Sequence, residues 1–276
     1  VETLKSIFRF YINSSIHVSL AVCALVQVTL IKIGFPYDYT ILFYSFFTSL
    51  VAYNFVKYSK VSKLYHKRLT KSMKSIHLLT LLACIGFIYT VFKIPFETVL
   101  YTSPFIALTI LYTVPVFPNN KNLRSLAGVK IFIIGAVWAG ITVLVPLVYA
   151  GENLMNFDFI VEIVQRFLFI VVMMLPFEIR DLQYDDLSLE TVPQKIGVTR
   201  TKVFGSILLV LFLLLTAVKD ELNSIEILST ILITTISLLF LWGTEKKQSE
   251  YYCSFWVESV PIFWLLILFV LENLFS

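Results

Sequence analysis

Apolar residues fill this chain in blocks, each near the roughly 20 residues that carry a helix across about 30 Å of hydrocarbon. Nine blocks are predicted to span: residues 12–33, 39–56, 75–93, 98–116, 128–150, 159–177, 203–219, 225–243 and 255–273. Helices are the economical form for all of them, because an open strand edge in lipid leaves backbone groups unpaired. The polar breaks differ by side. Those at Gly34–Asp38, Lys93–Glu97, Gly151–Asp158 and Lys219–Ser224 are short, whereas Lys57–Lys74 and Glu178–Lys202 are long and follow the second and sixth blocks. No Gly/Ser-rich or Pro-rich linker divides the chain, so residues 1–276 are expected to form one polytopic membrane domain, an all-α membrane protein with nine transmembrane helices in one bundle.

Composition agrees. Hydrophobic residues make up 58% and charged residues 14%, with mean hydropathy +0.85, whereas about a quarter of a soluble chain is charged. With nine spans, 18 of the 22 Lys and Arg lie on the side of the N-terminus; only Lys32, Lys93, Arg166 and Lys219 lie opposite. The positive-inside bias then places that face, and the N-terminus, in the cytoplasm and the C-terminus outside, in the inner membrane if the source is bacterial. The net charge of +4 is mostly this topological signal and argues poorly for nucleic acid. Residues 1–9 and the run after them resemble a signal peptide, but the run continues too long and lacks an A-x-A-like site, so an uncleaved first helix is expected. Cys23, Cys84 and Cys253 show neither metal-site nor disulfide spacing and read as packing residues. Arg166 and Glu258, near span starts, are expected at the interfaces; His17 and His77 read as satisfied polar residues.

The chemistry concentrates in Phe177-Glu178-Ile179-Arg180-Asp181-Leu182-Gln183-Tyr184-Asp185-Asp186. Five of the chain's 18 acidic residues, Glu178, Asp181, Asp185, Asp186 and Glu190, fall within thirteen positions at the end of an apolar block. Charge packed at a bilayer edge marks a functional candidate. Glu178, Asp181 and Asp185 are spaced three and four apart, so a helical extension of the sixth span sets them on one face. Like charges so close are tolerable mainly around a divalent cation, and Mg²⁺ suits carboxylates shared with a substrate phosphate. The alternative is a solvated acidic helix end, paired with Arg180 or Lys195.

Asp181-x-x-x-Asp185 followed by Thr191-Val192-Pro193-x-x-Ile196-Gly197 resembles the second aspartate-rich motif of the UbiA-type intramembrane prenyltransferase superfamily. Leu111-Tyr112-Thr113-Val114-Pro115 resembles its Y-S-x-P turn, and Leu123-Arg124 through Lys130, with Trp138, its basic approach to the fifth span. The resemblance covers essentially the whole chain. It implies a bundle with a central cavity opening to the cytoplasmic side, where Mg²⁺ and a prenyl diphosphate bind and the isoprenoid passes to a small, often aromatic, acceptor. Carried over by position, Asp181 and Asp185 are catalytic metal ligands, with Asp186 beside them. Asn54, Lys57, Tyr112, Lys130 and Arg180 become the substrate-binding set, Tyr112 as a cavity-lining residue and Lys130 as a diphosphate contact.

The departures are equally specific. Where the family's first motif has N-D-x-x-D-x-x-x-D, this chain has Asn54 followed by Phe55, Tyr58 and Ser62, and no acid occurs between Asp38 and Glu97. Lys57, Lys60 and Lys63 stand there instead, as ammonium replacements for one Mg²⁺ or simply as topological charge. In the second motif Leu189 occupies the third aspartate's place. Two rivals stay open: a non-catalytic isoprenoid or lipid binder on the same scaffold, and, more remotely, a transporter, whose expected charges deep within spans are scarce.

Overall fold

The structure, a computed structural model, describes residues 2–58, 71–221 and 223–275. It is helical throughout, with no strand among the described residues. The helices are α1 (Glu2–Asn13), α2 (Ile16–Lys32), α3 (Tyr39–Tyr58), α4 (Lys71–Val91), α5 (Phe96–Thr113), α6 (Lys130–Ala139), α7 (Val145–Ala150), α8 (Phe157–Asp181), the one-turn α9 (Val192–Ile196), α10 (Val198–Thr216), α11 (Ser224–Trp242) and α12 (Val260–Phe275). Two π-helical turns interrupt them: Gly140–Leu144 joins α6 to α7, and Tyr252–Val257 leads into α12.

All nine apolar blocks fall on helix. Seven helices are each long and apolar enough to cross a membrane, counting Lys130–Ala150 and Tyr252–Phe275 as single rods, and the α1–α2 pair, bent by 55°, makes an eighth. This is an integral membrane protein. Helix α5 falls outside that set; it carries Glu97 in its first turn, Pro104 and five Thr and Ser hydroxyls. The described helices therefore support seven or eight crossings. The bend before α2 lies at Ser15, whose φ of 64° is left-handed.

Helices α2, α3, α5, α6–α7, α8, α10, α11 and α12 close into a ring of successive neighbours, and α4 packs against α3. Lipid tails are as apolar as leucine, so close packing and internal hydrogen bonds hold such a ring. Small residues allow the approaches. A side chain at Gly140 would overlap the Phe105 ring, and one at Gly205 would meet Leu241 and Leu175. Polar side chains repair the places where proline removes a donor. Pro146 has no N–H for the Thr142 carbonyl four residues back, and the Thr29 hydroxyl of α2 donates to that oxygen at 2.6 Å. Pro104 leaves the Leu100 carbonyl open, and Ser103 Oγ donates to it at 2.8 Å. Gly140→Ala is expected to cost about 1–3 kcal/mol through overpacking, read as a lowered thermal midpoint in detergent; an unchanged midpoint would mean that Phe105 swings aside freely.

The end of the ring away from Asp181 is tied by charge. Glu162 and Arg166 of α8, Lys32 of α2, Lys219 after α10 and Glu226 of α11 form one network. Glu162 meets Lys32 at 2.8 Å, Lys219 at 2.7 Å and Arg166 at 3.1 Å; Glu226 meets the two lysines at 2.9 and 2.6 Å. Arg166 is fully buried and stacks over Trp264 at 4.9 Å. Burial works against the charge on Lys219, but the Glu162 and Glu226 carboxylates hold it, raising its pKa to about 12. Arg166, expected near an interface, is buried inside the bundle at this end, held by the Glu162 carboxylate one helical turn away and by the Trp264 ring, while Glu162 and Glu226 offset the two lysines beside it.

Candidate functional site

An apolar cavity of about 560 Å³ lies between α2, α3, α4, α5, α6 with its π turn, α8 and the start of α12. That volume is within the range of ligand pockets, roughly 300–1,000 Å³. Its walls are aliphatic and aromatic, with Val22, Phe87, Phe105, Ile134, Trp138 and Met173 among them. The polar groups are few: Tyr53, Tyr112, Glu258 and hydroxyls of Thr and Ser. Trp138 Nε1 donates to Tyr53 Oη at 2.7 Å, which fixes both rings across the gap between α6 and α3. Tyr112, the cavity-lining residue expected from sequence, is on the wall, and so are Tyr53, Phe87 and Trp138, whereas Phe43 and Tyr89 lie mostly exposed.

Charged side chains gather beside the end of this cavity that holds Tyr53, Tyr112, Phe177 and Glu258. Arg180 grips its neighbour Asp181 with two hydrogen bonds, Nε at 2.7 Å and Nη2 at 3.2 Å, while its guanidinium sits 5.2 Å over the Phe177 ring. Lys130, at the first turn of α6, reaches Asp185 at 3.3 Å. Glu178, buried between them, accepts the Val192 N–H at 3.1 Å and feels Lys130, Asp185 and Asp181. Tyr112 feels Arg124, Glu178 and Asp185. Lys57, in the last turn of α3, donates to the Asn13 carbonyl at 3.1 Å and lies within electrostatic range of Arg180 and Glu258.

The chain reaches this arrangement through the loop after α8. The helix stops at Asp181, but the Asp185 N–H still bonds the Asp181 carbonyl at 2.8 Å, so the four-residue spacing keeps both carboxylates at one mouth. Gln194 of α9 donates to the Asp185 and Asp186 carbonyls and accepts the Thr191 N–H, which pins the loop. The Gly128 N–H bonds the Leu189 carbonyl at 2.9 Å, holding the start of α6, and Lys130 with it, against the same loop. The Thr191-Val192-Pro193 and Gly197 positions thus act by holding the loop closed, with Gly197 at φ 80° turning the chain into α10.

Of the residues expected from sequence, Asp181, Asp185, Arg180, Lys130, Lys57 and Tyr112 come together. Asp186 and Asn54 do not. Asp186 caps the turn at Leu187–Leu189, its carboxyl held below the ordinary range by the Ser188 N–H, fully in the open. Asn54 faces α4, donating to Thr80 Oγ1 at 2.9 Å. Lys60 and Lys63 lie outside the described residues. Glu258, expected near an interface, stands on the cavity wall beside the charged end, a site role that sequence reasoning missed. A glutamate inside an otherwise apolar block, three residues before Pro261, was the available signal.

Among the described residues no group of three or more acidic, histidine or cysteine side chains converges as a metal site. The donor set is instead two carboxylates, Asp181 and Asp185, with side chains 24% and 14% exposed and each already facing a cation. Such a pair fits a hard cation that keeps its waters and arrives with a phosphate, since Mg²⁺ is commonly held by one or two carboxylates plus substrate oxygens.

No family model matches this sequence, and no curated protein matches it either. A solved structure does. The fold is similar over 98% of both chains, at 16% identity and a TM-score of 0.55, to a structure described as that of a digeranylgeranylglyceryl phosphate synthase in membranes.

Proposed function

We propose that this protein is a membrane-embedded prenyltransferase that moves an isoprenoid chain from a prenyl diphosphate to a small acceptor. The observation that carries the reading is the juxtaposition of an apolar cavity with a cluster of charged groups at one of its ends, on a fold similar to that of a digeranylgeranylglyceryl phosphate synthase. In this reading α5 is the ninth crossing and the charged end faces the cytoplasm, as the loop charges favour.

The isoprenoid tail lies among Val22, Phe105, Ile134 and Met173, and its diphosphate sits at the mouth. Lys57, Arg124, Lys130 and Arg180 offset the charge there, and Asp181 and Asp185 would hold Mg²⁺ against the diphosphate oxygens. Mg²⁺ so bound would neutralise charge growing on the leaving group. Preorganised cations aimed at that developing charge favour C–O cleavage, because they need not reorient as the bond breaks. The ring faces of Tyr53 and Trp138, locked by their mutual hydrogen bond, attract the positive charge left on the allylic carbon.

Purified protein in nanodiscs with Mg²⁺, offered geranyl, farnesyl and geranylgeranyl diphosphate, is expected to bind at least one and to release diphosphate when an acceptor is added. Absence of both across the series would overturn the reading. One observation favours a second reading, an isoprenoid binder without catalysis: Arg180 and Lys130 already occupy the two carboxylates. That protein would bind the same compounds and release nothing.

A further inference from the structure

We propose that Glu258 receives the acceptor, and that the acceptor is a neutral, hydroxyl-bearing compound whose proton Glu258 takes as the oxygen is alkylated. The inference rests on the prenyl-transfer reading and adds the acceptor's class and the group that activates it.

Glu258 is placed on the cavity wall by the π-helical turn at Tyr252–Val257. Its N–H bonds the carbonyl of Cys253, five residues back, at 3.2 Å. The extra residue in that turn rotates the start of α12 so that Val257, Glu258 and Pro261 share the cavity face. Single π turns inside longer helices recur at functional positions because they re-aim one side chain in this way. Among the described residues no other acid lines the cavity.

Among the described residues the Glu258 carboxylate has no hydrogen bond and no ion pair within 4.0 Å. The groups in electrostatic range are Lys57, Arg180, Tyr11, Tyr53 and Cys253. A carboxylate on an apolar wall without a donor is costly, and a ligand that brings a donor recovers that cost. The surroundings select the donor. An acceptor reacting through its own carboxylate has no proton to give Glu258, whatever it gains from Lys57 and Arg180, and a cationic amine would meet those two cations. A neutral O–H, carried on an apolar body that suits the walls, meets neither penalty.

Glu258 also shares the end of the cavity with the diphosphate cluster, through Lys57 and Arg180. The balance of the step follows. A bond forms between the acceptor oxygen and C1 of the isoprenoid, while the C1–O bond to the diphosphate breaks and its electron pair leaves with the diphosphate. The acceptor's proton passes to Glu258, which returns it to water at the mouth.

The test compares wild type with Glu258→Gln and Glu258→Asp, using geranylgeranyl diphosphate and two acceptor probes, 4-hexylphenol and 4-hexylbenzoate. Glu258→Gln is expected to bind geranylgeranyl diphosphate within about twofold of wild type, while transfer to the phenol falls by about 10²–10⁴-fold, the usual range for losing a general base. Glu258→Asp should recover part of the transfer, and wild type should prefer the phenol to the benzoate. Phenol transfer by Glu258→Gln at the wild-type rate, benzoate preference in wild type, or phenol inert while geranylgeranyl diphosphate is turned over would each overturn the proposal. Loss of geranylgeranyl diphosphate binding in both variants would also overturn it, by moving Glu258 out of the acceptor's place. A wild type silent toward every prenyl diphosphate would instead sink the prenyl-transfer reading, and the two failures are told apart by whether the diphosphate arm responds.

Discussion

Glu162→Gln is expected to destabilise the protein by about 3–5 kcal/mol, the usual cost of removing one partner from a buried ion pair. For a chain of this length that is a fall of roughly 6–20 °C in thermal midpoint. The reason is arithmetic of charge. Glu162 is the shared partner of Lys32, Arg166 and Lys219, so its neutralisation leaves three buried cations facing Glu226 alone. Arg166 has nowhere to retreat, being fully buried with Leu25, Thr29 and Trp264 around it. Adding Arg166→Gln to the first change should return part of the loss, because one unpaired guanidinium goes with it. As a control, Lys195→Gln breaks a pair whose partners are about half exposed and should shift stability by no more than about 1 kcal/mol. Thermal unfolding of the three variants in one detergent measures all of this; a Glu162→Gln midpoint equal to that of the control would dismiss the network as a source of stability.

Asp185→Asn is expected to leave the fold intact and to reduce diphosphate release by about 10²–10³-fold, the loss seen when one preorganised electrostatic contact to a developing charge is removed. The pair it breaks, Lys130–Asp185 at 3.3 Å, has side chains only 10% and 14% exposed, so a lowered thermal midpoint accompanies the change without loss of the fold. Its role in the proposed chemistry is larger, because Asp185 would supply half of the carboxylate set that takes Mg²⁺. Raising Mg²⁺ should therefore restore part of the rate in Asp185→Asn and none in Lys130→Met. If both variants respond alike, Asp185 serves only to position Lys130.

The sequence carried the frame of this molecule well. Every apolar block fell on helix, because membrane burial imposes a length and a composition that read directly along one dimension. Asp181 and Asp185 were legible for a related reason: a four-residue spacing at a helix end keeps two carboxylates on one side even where the helix has already stopped. The ionic network was not legible. Its members sit at positions 32, 162, 166, 219 and 226, and only Glu162 and Arg166 are close enough in sequence to suggest each other. The cavity role of Glu258 was not legible, because regular helical spacing does not foresee the π turn that aims it. Asn54 stands at a motif position yet donates to Thr80 of α4, a partner that a motif read along the chain does not reveal.

Thr29 joins two features that otherwise look separate. Its hydroxyl donates to the Thr142 carbonyl on the cavity wall, and its oxygen accepts from Arg166 at 3.3 Å. The deep stop of the hollow is therefore fastened to the guanidinium, and a guest that tried to thread further would have to pull on the electrostatic knot behind it. Reach along the bilayer normal is limited here by a latch that added salt cannot slacken, because mobile ions screen exposed charges far better than sealed ones.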